Sequence, residues 1–248
     1  MKEATGVVDV PGRSRPDRRH NERVDAARPH GPLPVLLIGL TVVTGLVDAF
    51  SYLSLGRVFV ANMTGNVVFL GFGLAGVGGI EIAASLVAIL AFALGAAIGG
   101  RWAVDPAPHR GRLLATAATL QAGLVIVSAI VAEIAGVKSL SVRLILIALL
   151  AVAMGGQNAV ARRLAVPDRT TTVLTLTVTG LVADATSWSV RLRRLVAVAA
   201  MLGGALVGGA LLRWVSVAAP LWLAAAVLVS CAVAAHGATK RPQSQAWQ

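Results

Sequence analysis

Between Pro34 and Ala235 the chain is a succession of apolar runs separated by short breaks, and the length of those runs decides most of what it can become. They extend over about Pro34 to Leu55, Val58 to Ile80, Ile82 to Gly100, Leu113 to Ala135, Leu140 to Val160, Thr171 to Ser187, Leu195 to Leu212 and Val217 to Ala235. A helix rises 1.5 Å per residue, so about 20 apolar residues cross the ~30 Å of hydrocarbon in a bilayer. Six runs are clearly long enough. The second and sixth open with Thr, Asn and Gly and are doubtful, because each reads either as a crossing or as a half-helix that enters and leaves on one side. The expected fold is an all-α polytopic membrane protein, with six to eight hydrophobic helical segments in two repeated halves and room for two re-entrant or broken helices. Hydrophobic residues make up 56% of the chain, charged residues 13%, and the mean hydropathy is +0.79, which excludes a soluble domain with a large core.

Residues 1–31 carry Arg13, Arg15, Arg18, Arg19, Arg23 and Arg28 with hardly any apolar periodicity, and read as a disordered basic cytoplasmic tail. Residues 32–236 form a single transmembrane helical domain with halves at about 34–135 and 140–235, and 237–248 form a short C-terminal tail. The first apolar run starts only after thirty residues and holds Asp48, so it reads as a retained span and not as a signal peptide. A net charge of +11 would suggest nucleic acid in a soluble chain. Here the basic residues sit in a tail and in short loops, where they set orientation in a lipid bilayer, and no nucleic-acid partner is expected.

The same charges weigh the doubtful segments. If all eight runs cross with the tail inside, 14 of the 22 basic residues are inside. If the second and sixth are re-entrant, only Arg57, Lys138, Arg143 and Arg213 fall outside, leaving 18 of 22 inside. The second count fits the positive-inside rule better, and it makes each half three spans of opposite orientation. Aligning Asp48 with Asn158, and Thr64 with Thr175, needs an offset of about 110 with a one-residue slip. Gly95-Ala96-Ala97-Ile98-Gly99-Gly100 then matches Gly204-Ala205-Leu206-Val207-Gly208-Gly209, followed in turn by Arg101-Trp102 and Arg213-Trp214.

Polar groups inside such runs are costly and usually have a task. Two clusters stand out: Thr44 to Asn66, and Gly155-Gly156-Gln157-Asn158 with the later Thr170 to Thr175. Asp48 reads either as a coupling site for a proton or cation, or a contact for a polar solute, or as an interfacial acid neutralised by Arg57 or held by Asn62. Asn62, Thr64, Gly65 and Asn66 lie at an apparent helix start, where Thr or Asn serves as an N-cap or the helix N-terminus faces a pathway. Gln157, Asn158, Thr171 and Thr175 are the second-half counterparts, suited to interhelical hydrogen bonds or to the same pathway. Gly95, Gly99, Gly204 and Gly208 form small-xxx-small pairs for close helix packing, within the bundle or at a dimer interface, so a homo-oligomer fits as well as a monomer. Glu133 and Asp184 lie near segment ends, Gln121 is expected to bond a neighbouring side chain, and Trp102, Trp188, Trp214 and Trp222 read as interfacial anchors.

No HExxH, GxSxG or nucleotide-binding loop occurs, and no Ser has a nearby His at plausible depth, so the chain is not expected to be an enzyme or a primary pump. One cysteine, Cys231, precludes an intrachain disulfide. The four His are scattered without ligand spacing, and no metal or cofactor is expected.

Gly45-x-x-Asp48-Ala49, Gly56-Arg57-Val58-Phe59, Asn62-Met63-Thr64-Gly65-Asn66, Gly156-Gln157-Asn158 and Thr171-Thr172-Val173-Leu174-Thr175 resemble the YoaK-like bacterial membrane protein family, domain of unknown function 1275. The resemblance runs from about Leu36 to Ala235. It implies a multi-pass protein of the bacterial cytoplasmic membrane with this topology, and it supplies no substrate. Where the family's second half has a Thr-Gly pair, this chain has Thr175-Leu176, so the two halves do not present the same turn. The function expected from the repeated polar clusters is a secondary transporter or permease for a small polar or ionic solute. The alternative is a non-transport membrane protein with a structural or interaction role.

Overall fold

The computed structural model describes residues 33–77, 79, 81–102, 110–164, 174–184 and 187–239. Eight helices follow one another among these residues: α1 Leu33–Ser54, α2 Met63–Leu74, α3 Ile82–Trp102, α4 Arg110–Ala135, α5 Leu140–Leu164, α6 Leu174–Ala183, α7 Trp188–Trp214 and α8 Ala219–Thr239. Each matches one apolar run of the sequence, and the fold is the expected all-α polytopic membrane protein. Pro34 and Pro220 fall in the first turns of α1 and α8, where a missing N–H costs nothing.

Six helices of 21 to 27 residues are long and apolar enough to span a bilayer. The other two, α2 and α6, have 12 and 10 described residues, about 18 and 15 Å, less than the hydrocarbon thickness. The chain geometry agrees for α2. A Cβ at Gly56, just past α1, would lie 3.2 Å from the Glu81 carboxyl and 3.5 Å from the Arg143 guanidinium. The end of α1 and the starts of α3 and α5 therefore share one face, so α2 enters and returns on that side. An Arg143–Glu81 ion pair of 2.6 Å closes this face.

Two seams tie the bundle together. In one, Gly45 of α1 lies against the Met201 carbonyl and the Ala205 amide of α7, while Gly204 faces Val42 and Gly208 faces Leu46 and Ala49. In the other, Gly155 of α5 lies against the Phe92 carbonyl and Ala96 amide of α3, while Gly95 faces Val152 and Gly99 faces Gly156 and Ala159. Contacts advance in the same direction along both partners, so each seam joins parallel helices. The absent side chains let backbones touch, which in lipid is the main source of helix association. Of the two uses expected for these glycines, packing within the bundle is the one they serve. Around the seams, α8 packs on α1 and α4 on α5, and α4 and α8 pack on each other. Phe50, Leu46, Leu150, Met154, Leu221 and Leu228 fill the core, while Leu90, Leu94, Leu202 and Leu206 turn outward, as lipid-facing side chains do.

Candidate functional site

The link from α1 to α2 is non-helical from Leu55 to Asn62; the Leu55 and Arg57 N–H groups still reach the Ser51 and Tyr52 carbonyls of α1, but the backbone groups around Phe59, Val60 and Ala61 need partners from elsewhere. Two side chains supply them. Asp48, on a buried face of α1, accepts the Val60 and Ala61 N–H groups on Oδ1 at 3.1 and 3.0 Å, and the Asn62 Nδ2 on Oδ2. Asn66, fully buried in the first turns of α2, accepts the Phe59 N–H at 2.9 Å and donates to the Phe59 carbonyl at 2.6 Å. One carboxyl and one carboxamide thus replace much of the hydrogen bonding that a helix would have provided. Leaving such groups buried and unpaired costs about 1–3 kcal/mol each.

The loop has a second requirement, a sharp turn out of α1. Gly56 at φ 101° and Arg57 at φ 58° make it. A left-handed residue with a side chain costs roughly 1–2 kcal/mol, and the Asp48 and Asn66 contacts hold it there. Beyond the turn, Tyr52, Phe59 and Phe69 stack with centroids 5.0 to 6.2 Å apart. Gly65 is where Phe59 fits, since a Cβ there would come within 2.9 Å of its ring.

Several of the residues expected at the site lie in this loop. Asn62 stands at the N-cap position of α2 but makes no side-chain cap bond; its amide goes to Asp48. Of the two ways to quiet Asp48, Asn62 holds it and Arg57 turns outward, exposed. Thr64 is exposed, apart from the groups that hold the loop.

A second polar group crosses between helices. Gln121 of α4 donates Nε2 to the Gln157 Oε1 of α5 at 2.5 Å, and Gln157 donates Nε2 to the Thr44 Oγ1 of α1 at 3.2 Å. Thr44 in turn donates to the Leu40 carbonyl at 3.0 Å. All three side chains are buried. Thr44 and Asp48 are one helical turn apart on α1, so the relay ends beside the Asp48 cage. Gln121 bonds a neighbouring side chain, as its mid-helix position in an apolar run led us to expect, and that neighbour is Gln157. Asn158 is buried next to Gln157, Thr175 is exposed on α6, and Thr171 lies outside the described residues.

Beside the relay, α3, α4 and α5 surround a cavity of about 470 Å³. Gln121 and Gln157 line it together with Thr116, Gly123 and the seam glycines Gly95 and Gly99. Just past the end of α6, Asp184 pairs at 2.9 Å with Arg194, which lies within α7. Trp188 and Trp214 are exposed at the two ends of α7, consistent with interfacial anchoring.

Comparison with known proteins gives a family and no solved structure. The model of the family described as "Protein of unknown function (DUF1275)" matches residues 36–234. The UPF0700 transmembrane protein YoaK of Bacillus subtilis (strain 168) is 34% identical over 151 residues, which is 60% of this chain and 65% of the relative, just under two thirds of its length. No solved structure matches. The matched span takes in the cage, the relay and both glycine seams, and on that evidence this chain belongs to the DUF1275 family.

Proposed function

We propose that this protein is a secondary carrier of the cytoplasmic membrane, a permease for a small solute, built from two inverted repeats. The supporting observation is that a shift of about 110 residues carries one glycine seam onto the other, contact by contact. Gly45 against Met201 and Ala205 becomes Gly155 against Phe92 and Ala96; Gly204 against Val42 becomes Gly95 against Val152; Gly208 against Leu46 and Ala49 becomes Gly99 against Gly156 and Ala159. The remaining contacts follow: α8 on α1 answers to α4 on α5, and α4 on α8 maps to itself. Three crossings per half reverse the second half relative to the first. Interrupted helices at equivalent places in such repeats form the central sites of many carriers.

In this reading α1, α7 and α8 make one unit and α3, α4 and α5 the other, each drawn from both halves. They meet where α4 packs on α8 and where Gln157 reaches Thr44. Rocking of one unit on the other exposes that junction to the two sides in turn. The rival reading, an interaction protein that assembles through its glycine faces, draws on glycines whose faces are already filled by this chain's own helices.

The test uses the full chain in liposomes, with a panel of neutral, anionic and cationic solutes scored first by shift in melting temperature and then by uptake. At least one solute is expected to stabilise the protein and to enter saturably, with uptake lost in Gln157→Leu. Uptake no greater than in protein-free liposomes across the panel, with no thermal shift, sinks the carrier reading. Orientation is tested with a single cysteine at Ala107, between α3 and α4, in a Cys231→Ser background. Labelling by an impermeant maleimide only after permeabilisation puts the α3–α4 side and the N-terminus inside; labelling of intact cells reverses both.

A further inference from the structure

We infer that the cleft between α3 and α4 is a binding site for an uncharged amphiphile that enters sideways from the bilayer and donates a hydrogen bond to Gln121. The inference rests on the carrier reading for its role and names the class of solute, but the site itself is argued from its own walls. Both α3 and α4 pack on α5 and scarcely on each other, so the cleft has α5 as its floor and a lateral opening. Ile98 and Leu120, exposed at its rim, suit it to lipid. Its volume of about 470 Å³ lies in the ~300–1,000 Å³ range of pockets that enclose drug-sized ligands.

Charge decides the ligand class. Among the described residues no Asp, Glu, Lys, Arg or His lines the cleft, and an ion at this depth without a counter-charge is strongly disfavoured. The polar wall groups are hydroxyls and the Gln121 and Gln157 carboxamides, both more than nine-tenths buried. The relay engages Gln121 through Nε2, toward Gln157 and the Met154 sulfur. Its Oε1 takes no part in the relay and remains an acceptor for a hydroxyl or N–H of the ligand. An acyl chain would fill the apolar length of the cleft but leave that oxygen without a donor.

The equivalent place in the other unit lacks these features. There α7 and α8 pack on each other, and Val47 stands where Gln157 stands. Among the described residues the carboxamide-lined cleft is thus found on one side of a doubled scaffold.

The experiment is photolabelling of the full chain in nanodiscs with three matched probes: a diazirine-bearing octanol, octanoate and octane. Octanol is expected to label the α4 and α5 residues around Gln121 and Gln157, with octanoate excluded. Gln121→Leu is expected to reduce octanol labelling about tenfold at low probe concentration, the range of one hydrogen bond, and to leave octane labelling unchanged. A second variant guards against misfolding. A Cβ at Gly123 meets nothing within 4 Å, so Gly123→Leu grows into the cleft without a clash and is expected to abolish labelling while the melting temperature holds. Octane labelling as strong as octanol, indifferent to Gln121→Leu, reduces the cleft to an acyl-chain crevice and overturns the inference. Octanoate labelling at the octanol level overturns the uncharged class. Labelling is an equilibrium measurement, so octanol binding without any uptake leaves the site standing and removes the carrier role, whereas uptake that survives Gly123→Leu removes the site and leaves the carrier.

Discussion

Two seams run through the bundle, one between α1 and α7 and one between α3 and α5, and in both a glycine meets the backbone of a parallel neighbour. The spaces beside them differ. Next to α3 and α5 a cleft opens onto two carboxamides, whereas next to α1 and α7 the corresponding helices touch each other and the buried Val47 takes the place of Gln157. Helix approach is set by small residues alone, and it tolerates little change because a backbone cannot move aside. The lining of a cleft can change one side chain at a time, so a common scaffold can carry chemistry on one side only.

The comparison breaks most readily at the seams. Gly45→Leu and Gly155→Leu each drive a side chain into a facing carbonyl, and each is expected to cost ~4 kcal/mol or more and to leave little folded protein. Detergent-resistant yield and thermal unfolding measure this; a large loss for one and not the other would mean the seams are not equivalent. Next in size is the cage. Asp48→Ala strands the Val60 and Ala61 N–H groups and the Asn62 amide, a loss of about 3 kcal/mol or more. Faster hydrogen exchange at Val60 and Ala61 than elsewhere in the loop is its specific mark. The aligned Asn158→Ala is expected to cost less, about 1–2 kcal/mol, and equal losses would make the two clusters mechanically alike.

Gln157→Leu sharpens the contrast between the clefts. It removes one junction bond to Thr44 and one to Gln121, with an expected loss of about 1 kcal/mol in thermal unfolding. The smallest effect belongs to Gly203→Leu, whose Cβ meets nothing within 4 Å although the residue adjoins Gly204. Better helix propensity offers up to ~1 kcal/mol of stabilisation there. A destabilisation comparable to that of Gly45→Leu would show that the seam extends beyond its close contacts.

Much of this architecture was legible in the residues. Run length gave eight apolar segments and six clear spans, because hydropathy and the 1.5 Å rise act on every span alike; the doubt over the second and sixth came from the Thr, Asn and Gly at their starts. The glycine pairs announced close packing. They could not announce their partners, since a missing side chain carries no address, and Gly45 was not counted among them although it sits as close to its facing backbone as Gly204 does. Asp48 was conspicuous, but its purpose was hidden because its main donors are backbone N–H groups of Val60 and Ala61, which any residue possesses. That Asn62 could hold Asp48 was legible from their residue types, and its Nδ2 does donate to the carboxyl, while the N-cap use of its oxygen is not made. Arg57 gave no sign of a left-handed turn, because glycine is the usual mark of one.

The parallel seam between α1 and α7 also bears on how the protein is made. Helix α1 packs mainly against one synthesised on the order of 150 residues later, a delay of about 8–30 s at ordinary elongation rates. During that interval α1 carries a carboxyl in a membrane without its final neighbour. The donors that satisfy Asp48 come from Val60, Ala61 and Asn62, which emerge within a second or two of it. The cage therefore completes itself from adjacent chain, and lets the first hairpin wait in lipid as a self-sufficient unit until its partner arrives.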